Sequence, residues 1–163
     1  MELENRILSR EIHQLLYERN MSLGTAESCT GGRIAEAIIA APGASHYFKG
    51  SIVSYADEVK VRLLNVPRKL IDEKNAVSGE VAMAMVEGAC DALNVDYAVA
   101  ATGFAGPGGG TKDIPVGTIY IACGKKGDIV TMKLSGDEGR DPNISNATNK
   151  ALQLLLRYLA DKM

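Results

Sequence analysis

The chain has 163 residues, 46% hydrophobic and 23% charged, and its 18 Lys and Arg against 20 Asp and Glu leave a net charge of −2. That is one domain's length, apolar enough to build its own core, too charged for a membrane-embedded chain and without the basic excess of a dedicated nucleic-acid binder. Cys29, Cys90 and Cys123 are widely spaced, form no CxxC pair and have only His13 and His46 for company, so they read as reduced thiols of a cytoplasmic protein rather than as metal ligands.

Leu3, Ile7, Leu8, Ile12, Leu15 and Leu16 recur at helical spacing and predict an amphipathic helix over residues 2–20. Its acidic, charge-alternating start is unlike a signal peptide, and no apolar run approaches the ~20 residues that span a bilayer. Residues 22–26 are short enough for a buried strand and lead straight into Glu27-Ser-Cys-Thr-Gly-Gly32. A helix is predicted over 33–41, stopped by Pro42-Gly43, then a strand over 50–55 and a helix over 56–64. Residues 67–74 are expected to be a polar connection holding at most one turn, opened by Pro67. Ser78 is placed to cap a long helix over 79–93, with Glu80 in its first turn. The continuously apolar run 96–101 reads as a central buried strand. A glycine-rich loop follows over 102–111, then strands at 117–123 and 129–134 about a hairpin-type turn, and a closing helix over 146–161. This order predicts an α/β fold: a single domain over 1–163, built as a three-layer α/β/α sandwich with a mixed sheet. The Asn143-Ile-Ser and Asn146-Ala-Thr sequons are read as chance matches.

Three segments carry candidate chemistry. In Thr25-Ala-Glu-Ser-Cys-Thr-Gly-Gly32 a serine and a cysteine sit where a buried strand turns into a helix, the edge at which open α/β folds place ligands. Free backbone N–H groups there suit an oxyanion or phosphate; the structural alternative is that Ser28 or Thr30 simply caps the helix. Cys29 is the rival nucleophile, its thiol lowered by the helix N-terminus. Lys60 faces Ala56, Asp57, Leu63 and Leu64 at i±3 and i±4, a half-apolar setting in which desolvation would lower its pKa and make it a base, although a lysine so placed more often snorkels to solvent and the spacing alone favours that outcome. The loop 103–110 has the glycine spacing of a P-loop but Gly109-Gly110 where Lys-Ser/Thr is required, so it is either an anion nest or a surface loop. Neither histidine sits in a triad-like setting.

Ala26-Glu-Ser-Cys-Thr-Gly-Gly32, Gly50-x4-Tyr55-x4-Lys60, Thr102-Gly-x-Ala-Gly-Pro-x-Gly-Gly110 and Pro115-Val-Gly-Thr118 together resemble, in the same order and across nearly the whole chain, the CinA C-terminal domain family. Its stand-alone members are nicotinamide-nucleotide amidohydrolases. The resemblance implies hydrolysis of the carboxamide of nicotinamide mononucleotide (NMN) to nicotinate mononucleotide and ammonia, without metal or other cofactor. It implies Ser28 as nucleophile, Lys60 as general base and Tyr55 as a hydroxyl relaying the proton. Backbone N–H groups of Thr30, Gly31 and Gly32 would hold the oxyanion, and Thr102, Gly103, Ala105 and Gly106 would line the nucleotide pocket. Relatives carry Gly-Asp-Arg before the last helix and another arginine four residues on. Here Gly136-Asp-Glu-Gly-Arg140 stands in that place with Ile at 144, leaving Arg140 for the phosphate. The alternative is a non-catalytic nucleotide-binding module. The expected partner is this small molecule, with no nucleic acid and no membrane. A homo-oligomer is also expected, with the hairpin and terminal helix as a candidate subunit interface.

Overall fold

The computed structural model describes residues 2–162. Strands β1 (Leu23–Glu27), β2 (Phe48–Val53), β3 (Tyr97–Gly103), β4 (Ile119–Lys125) and β5 (Asp128–Leu134) form one sheet in the order β2-β1-β3-β4-β5. β1 runs parallel to both β2 and β3, while β4 and β5 are antiparallel additions. The sheet is therefore mixed, and its parallel part demands helical crossovers.

Six helices supply the outer layers: α1 (Leu3–Arg19), α2 (Arg33–Ile39), α3 (Asp57–Leu64), α4 (Arg68–Lys74), α5 (Gly79–Leu93) and α6 (Arg140–Lys162). Alternation along β3 divides the core. Val99 and Ala101 face α1, α2 and α6, where Ile12, Leu16, Ile34, Ile38, Leu152 and Leu155 are buried. Ala98 and Ala100, with Ala26 and Ala122, face α3, α4 and α5 through Leu64, Ile71, Val81, Met85 and Val86. An alanine-lined sheet face lets α5 settle close, and Gly88 of α5 packs so tightly on α3 that an added Cβ would run into the Leu64 carbonyl.

The fold class is as expected, with local differences. Residues 67–74 hold a seven-residue helix, α4, braced by exposed Arg68–Asp72 and Lys69–Glu73 pairs at 3.4 and 3.7 Å. The last helix begins at Arg140 rather than 146, since Pro142 falls in its first turn, where a missing N–H costs nothing. Ser78 caps α5 as expected, its hydroxyl accepting from Val81 N–H at 3.2 Å. Among the described residues no helix is long and apolar enough to cross a membrane.

Candidate active site

The crossover from β1 to β2 runs through α2 on one face, and that from β2 to β3 runs through α3–α5 on the other. The carboxyl ends of β1 and β3 thus flank a topological switch point, where α/β sheets leave room for ligands. Ser28 follows β1 directly. Its N–H donates to Ala101 O at 3.0 Å, its carbonyl accepts from Gly31 N–H at 3.1 Å, and Gly31 and Gly32, at φ +58° and +106°, turn the chain into α2. Lys60 enters from α3 and is 1% exposed, because α5 presses the end of that helix onto the sheet. Leu64 shares this burial, whereas Leu63 is 49% exposed and takes no part in it.

Lys60 Nζ lies 3.0 Å from Ser28 Oγ and donates to the carbonyls of Ser54 at 2.8 Å and Tyr55 at 3.2 Å. An ammonium has three donors for these three oxygens; a neutral amine has two, which the carbonyls can take, and a lone pair that can face the Ser28 hydroxyl. Burial lowers the Lys60 pKa, against a smaller opposing effect of Asp57, whose Oδ1 lies at 4.0 Å. The arrangement sets a serine hydroxyl beside a desolvated amine.

A cavity of about 250 Å³ opens over this pair. Ser28, Cys29, Tyr55, Asp57 and Lys60 form one side; Thr102, Gly103, Ala105, Gly106 and Arg140 form the other. A larger groove of about 430 Å³ lies between α1, α2 and α6, but it pairs no serine with a buried lysine or histidine. His13 and His46 sit apart from the cavity, on the α1 face, with His13 Nδ1 3.2 Å from Tyr47 Oη.

Several expected residues are placed differently from their expected roles. Thr30, Gly31 and Gly32 do not line the cavity. Glu27, fully buried, turns its carboxylate to the start of α2 instead. It accepts from the Thr30 hydroxyl at 2.7 Å and from the N–H groups of Gly32, Ile34 and Ala35 at 3.1, 2.9 and 3.0 Å. Two of the three amides expected to receive an oxyanion are thus already used: Gly32 by Glu27, Gly31 by the Ser28 carbonyl. A buried carboxylate is tolerated because helix-end donors surround it. Cys29 does reach the cavity, but burial pushes its thiol up to about 12 instead of the helix end lowering it, and Glu27 adds to the rise.

Tyr55 contributes differently from a relay. Its carbonyl orients Lys60, while its hydroxyl meets Arg140 Nη2 at 3.2 Å and touches neither Ser28 nor Lys60. Arg140 Nη1 also donates to Gly106 O at 2.6 Å. The Thr102 hydroxyl lines the cavity and donates to Ala76 O at 2.9 Å, which leaves only its acceptor lone pairs for a ligand. Ile144 is buried in the core. Asn143 holds the loop in place: its amide donates to Ala105 O at 3.0 Å and Asp137 Oδ1 at 2.9 Å, which also takes that sequon out of reach. Glu27, Asp57 and Asn143 are the residues of this region to which the sequence assigns no role; a carboxylate preceding a Ser-Cys-Thr-Gly-Gly turn was the available signal for the first.

Fold and cavity define an α/β domain with a buried serine–lysine pair at the switch point of its sheet. The chain belongs to the CinA C-terminal domain family, whose profile it matches over residues 5–159. It is 50% identical over 118 residues to a CinA-like protein of Leptospira borgpetersenii, covering 72% of this chain and 28% of that protein. To a CinA-like protein of Desulfotalea psychrophila it is 42% identical over 154 residues, covering 93% and 37%. The crystal structure of the competence/damage inducible protein CihA from Agrobacterium tumefaciens superposes with a TM-score of 0.92 at 32% identity, over 97% of this chain and 99% of that one. The chain spans between 28% and 39% of the length of the curated relatives it matches.

Proposed function

We propose that the chain is an amidohydrolase that releases ammonia from the carboxamide of nicotinamide mononucleotide through Ser28 and Lys60. The observation that carries this reading is the buried Lys60 amine, held by the carbonyls of Ser54 and Tyr55 with its nitrogen 3.0 Å from Ser28 Oγ.

As Ser28 Oγ attacks the carboxamide carbon, Lys60 takes the hydroxyl proton and the carbonyl becomes a tetrahedral oxyanion. The Lys60 ammonium then gives that proton to the amide nitrogen, the C–N bond breaks and ammonia leaves, with the acid moiety held as an ester on Ser28. Water enters, Lys60 takes its proton, hydroxide adds to the ester, and the proton returns to Ser28 Oγ as nicotinate mononucleotide departs. Arg140, which lines the cavity, is the cation available to the substrate phosphate. The Ser28 hydroxyl reacts because its base is neutral, which the lowered Lys60 pKa favours.

The test is ammonia release from NMN by the purified chain beside Ser28→Ala. Release that is lost in the variant supports the reading. NMN binding without release from the parent chain replaces it with a nucleotide-binding module.

A further inference from the structure

We infer that Asp57 makes the site selective for carboxamides carried on a cationic ring, an inference that rests on the amidohydrolase reading above. Among the described residues lining the cavity, Asp57 is the one carboxylate. Its side chain is 43% exposed, and its nearest cation is Lys60 Nζ at 4.0 Å, beyond hydrogen-bond distance. When Lys60 is neutral, as its role as base requires, Asp57 loses its one ion pair among the described residues. A carboxylate left so beside the scissile bond repels an anionic ligand and is tolerated best when the ligand itself brings a positive charge.

An N-ribosylated pyridinium carboxamide has that charge. Its ring nitrogen is meta to the carboxamide, so a carbonyl carbon seated on Ser28 Oγ holds the ring beside the Lys60–Asp57 end of the cavity. Once Lys60 accepts the Ser28 proton, two positive charges share that end, and Asp57 faces both. The opposite end is marked by Arg140. Tyr55 spans the two, its carbonyl accepting from Lys60 and its hydroxyl lying 3.2 Å from Arg140 Nη2. The cavity therefore presents a carboxylate beside Lys60 and a guanidinium beyond the Tyr55 hydroxyl, the reverse of a ligand with a cationic ring and a phosphate tail. After hydrolysis the ring carries a carboxylate towards Asp57, and like-charge repulsion favours release of the product.

The experiment compares two probes that differ in ring charge: NMN, and its 1,4-dihydro form, which keeps the carboxamide and phosphate on a neutral ring. Calorimetric Kd values are measured in a Ser28→Ala background, with Asp57 intact and with Asp57→Asn, Asp57→Glu and the exposed neighbour Glu58→Gln added. We expect NMN to bind about tenfold more tightly than the dihydro form, roughly 1.4 kcal/mol. That preference should fall to within about twofold in Asp57→Asn and persist in Asp57→Glu and Glu58→Gln. An unchanged ratio in Asp57→Asn, or failure of both probes to bind, overturns the inference. Ammonia release by the Ser28-intact chain reports separately on the parent reading. A charge-dependent Kd without ammonia removes the amidohydrolase and leaves the Asp57 selectivity standing; ammonia with an unchanged ratio removes the selectivity alone.

Discussion

Replacing Lys60 by methionine keeps the length of the side chain and deletes the amine. If Lys60 is the base, the loss is that of a positioned proton acceptor, about 10²- to 10⁴-fold in turnover, or about 3–5 kcal/mol of transition-state stabilisation. Stability is expected to change much less, because two effects oppose. Ser54 O, fully buried, loses its donor, which costs about 1–3 kcal/mol. Against this, the folded protein no longer has to hold a lysine whose pKa burial has lowered, a penalty of about 1.4 kcal/mol per unit below the unfolded value. The sign follows from proton counts: below pH 10.5 the unfolded chain keeps the Lys60 proton more readily than the folded one. Parent stability therefore rises with pH through the window between the lowered folded pKa and 10.5, and Lys60→Met lacks that contribution. A net change within about 2 kcal/mol corresponds to a Tm shift under about 8 °C. The assays are ammonia release from NMN and thermal unfolding by circular dichroism, both from pH 6 to 10. Parent turnover is expected to rise with pH through the lowered Lys60 pKa. A folded Lys60→Met, or Lys60→Arg, whose guanidinium cannot give up its proton, that keeps more than about a tenth of parent turnover refutes the base assignment.

Cys29→Ala is expected to leave turnover within about threefold of the parent, and iodoacetamide to inactivate slowly at pH 8, since a thiol at about 12 is almost wholly protonated there; rapid inactivation abolished in Cys29→Ala would point to a thiol nucleophile. Glu27→Ala strands the N–H groups of Gly32, Ile34 and Ala35 and should destabilise the fold by about 2–4 kcal/mol in urea titrations. A loss under about 0.5 kcal/mol would show that water replaces the carboxylate at no cost. Gly88→Ala drives a methyl into the Leu64 carbonyl and should cost at least about 1–3 kcal/mol while lowering turnover, because the same contact seats the helix that bears Lys60; full turnover in the folded variant would separate that contact from the site.

How far the sequence discloses this molecule depends on where each signal resides. Helices α1 and α5 announce themselves because their apolar residues follow the helical period, and β1 and β3 because they are short buried runs, β3 continuously apolar. Helix α4 does not: Ile71 is its one buried residue, and its remaining support is charge pairing on the surface, which leaves no apolar stripe to read. The first turns of α6 were obscured by Pro142, which reads as a breaker unless the start of the helix is known. Lys60 illustrates the limit at the site. Its helical neighbours are compatible with either a snorkelling or a buried lysine, and the decision comes from α5, which is distant in sequence. Glu27 is similar, since nothing local foretells that three amides and several hydroxyls gather on one carboxylate. The motif resemblance located the serine and the lysine but said nothing of which amides remain free, and there the structure departs from expectation.

One ladder rung sets the geometry of the reacting pair. Ser28 leaves the end of β1, and the Ser54 carbonyl that steadies Lys60 belongs to a residue whose N–H is bonded to Glu27 O at 2.8 Å. Ser28 and Lys60 are thereby fastened to two adjacent strands, while the far wall of the cavity hangs on the 104–118 loop, tied by Phe104 to Thr118 and Gly117, by Asn143 to Ala105 and by Arg140 to Gly106. The Ser28–Lys60 pair and the far wall of its cavity thus occupy mechanically separate parts of the chain. Insertions or exchanges in the loop can reshape that wall, by natural drift or by design, without disturbing the 3.0 Å spacing of the pair.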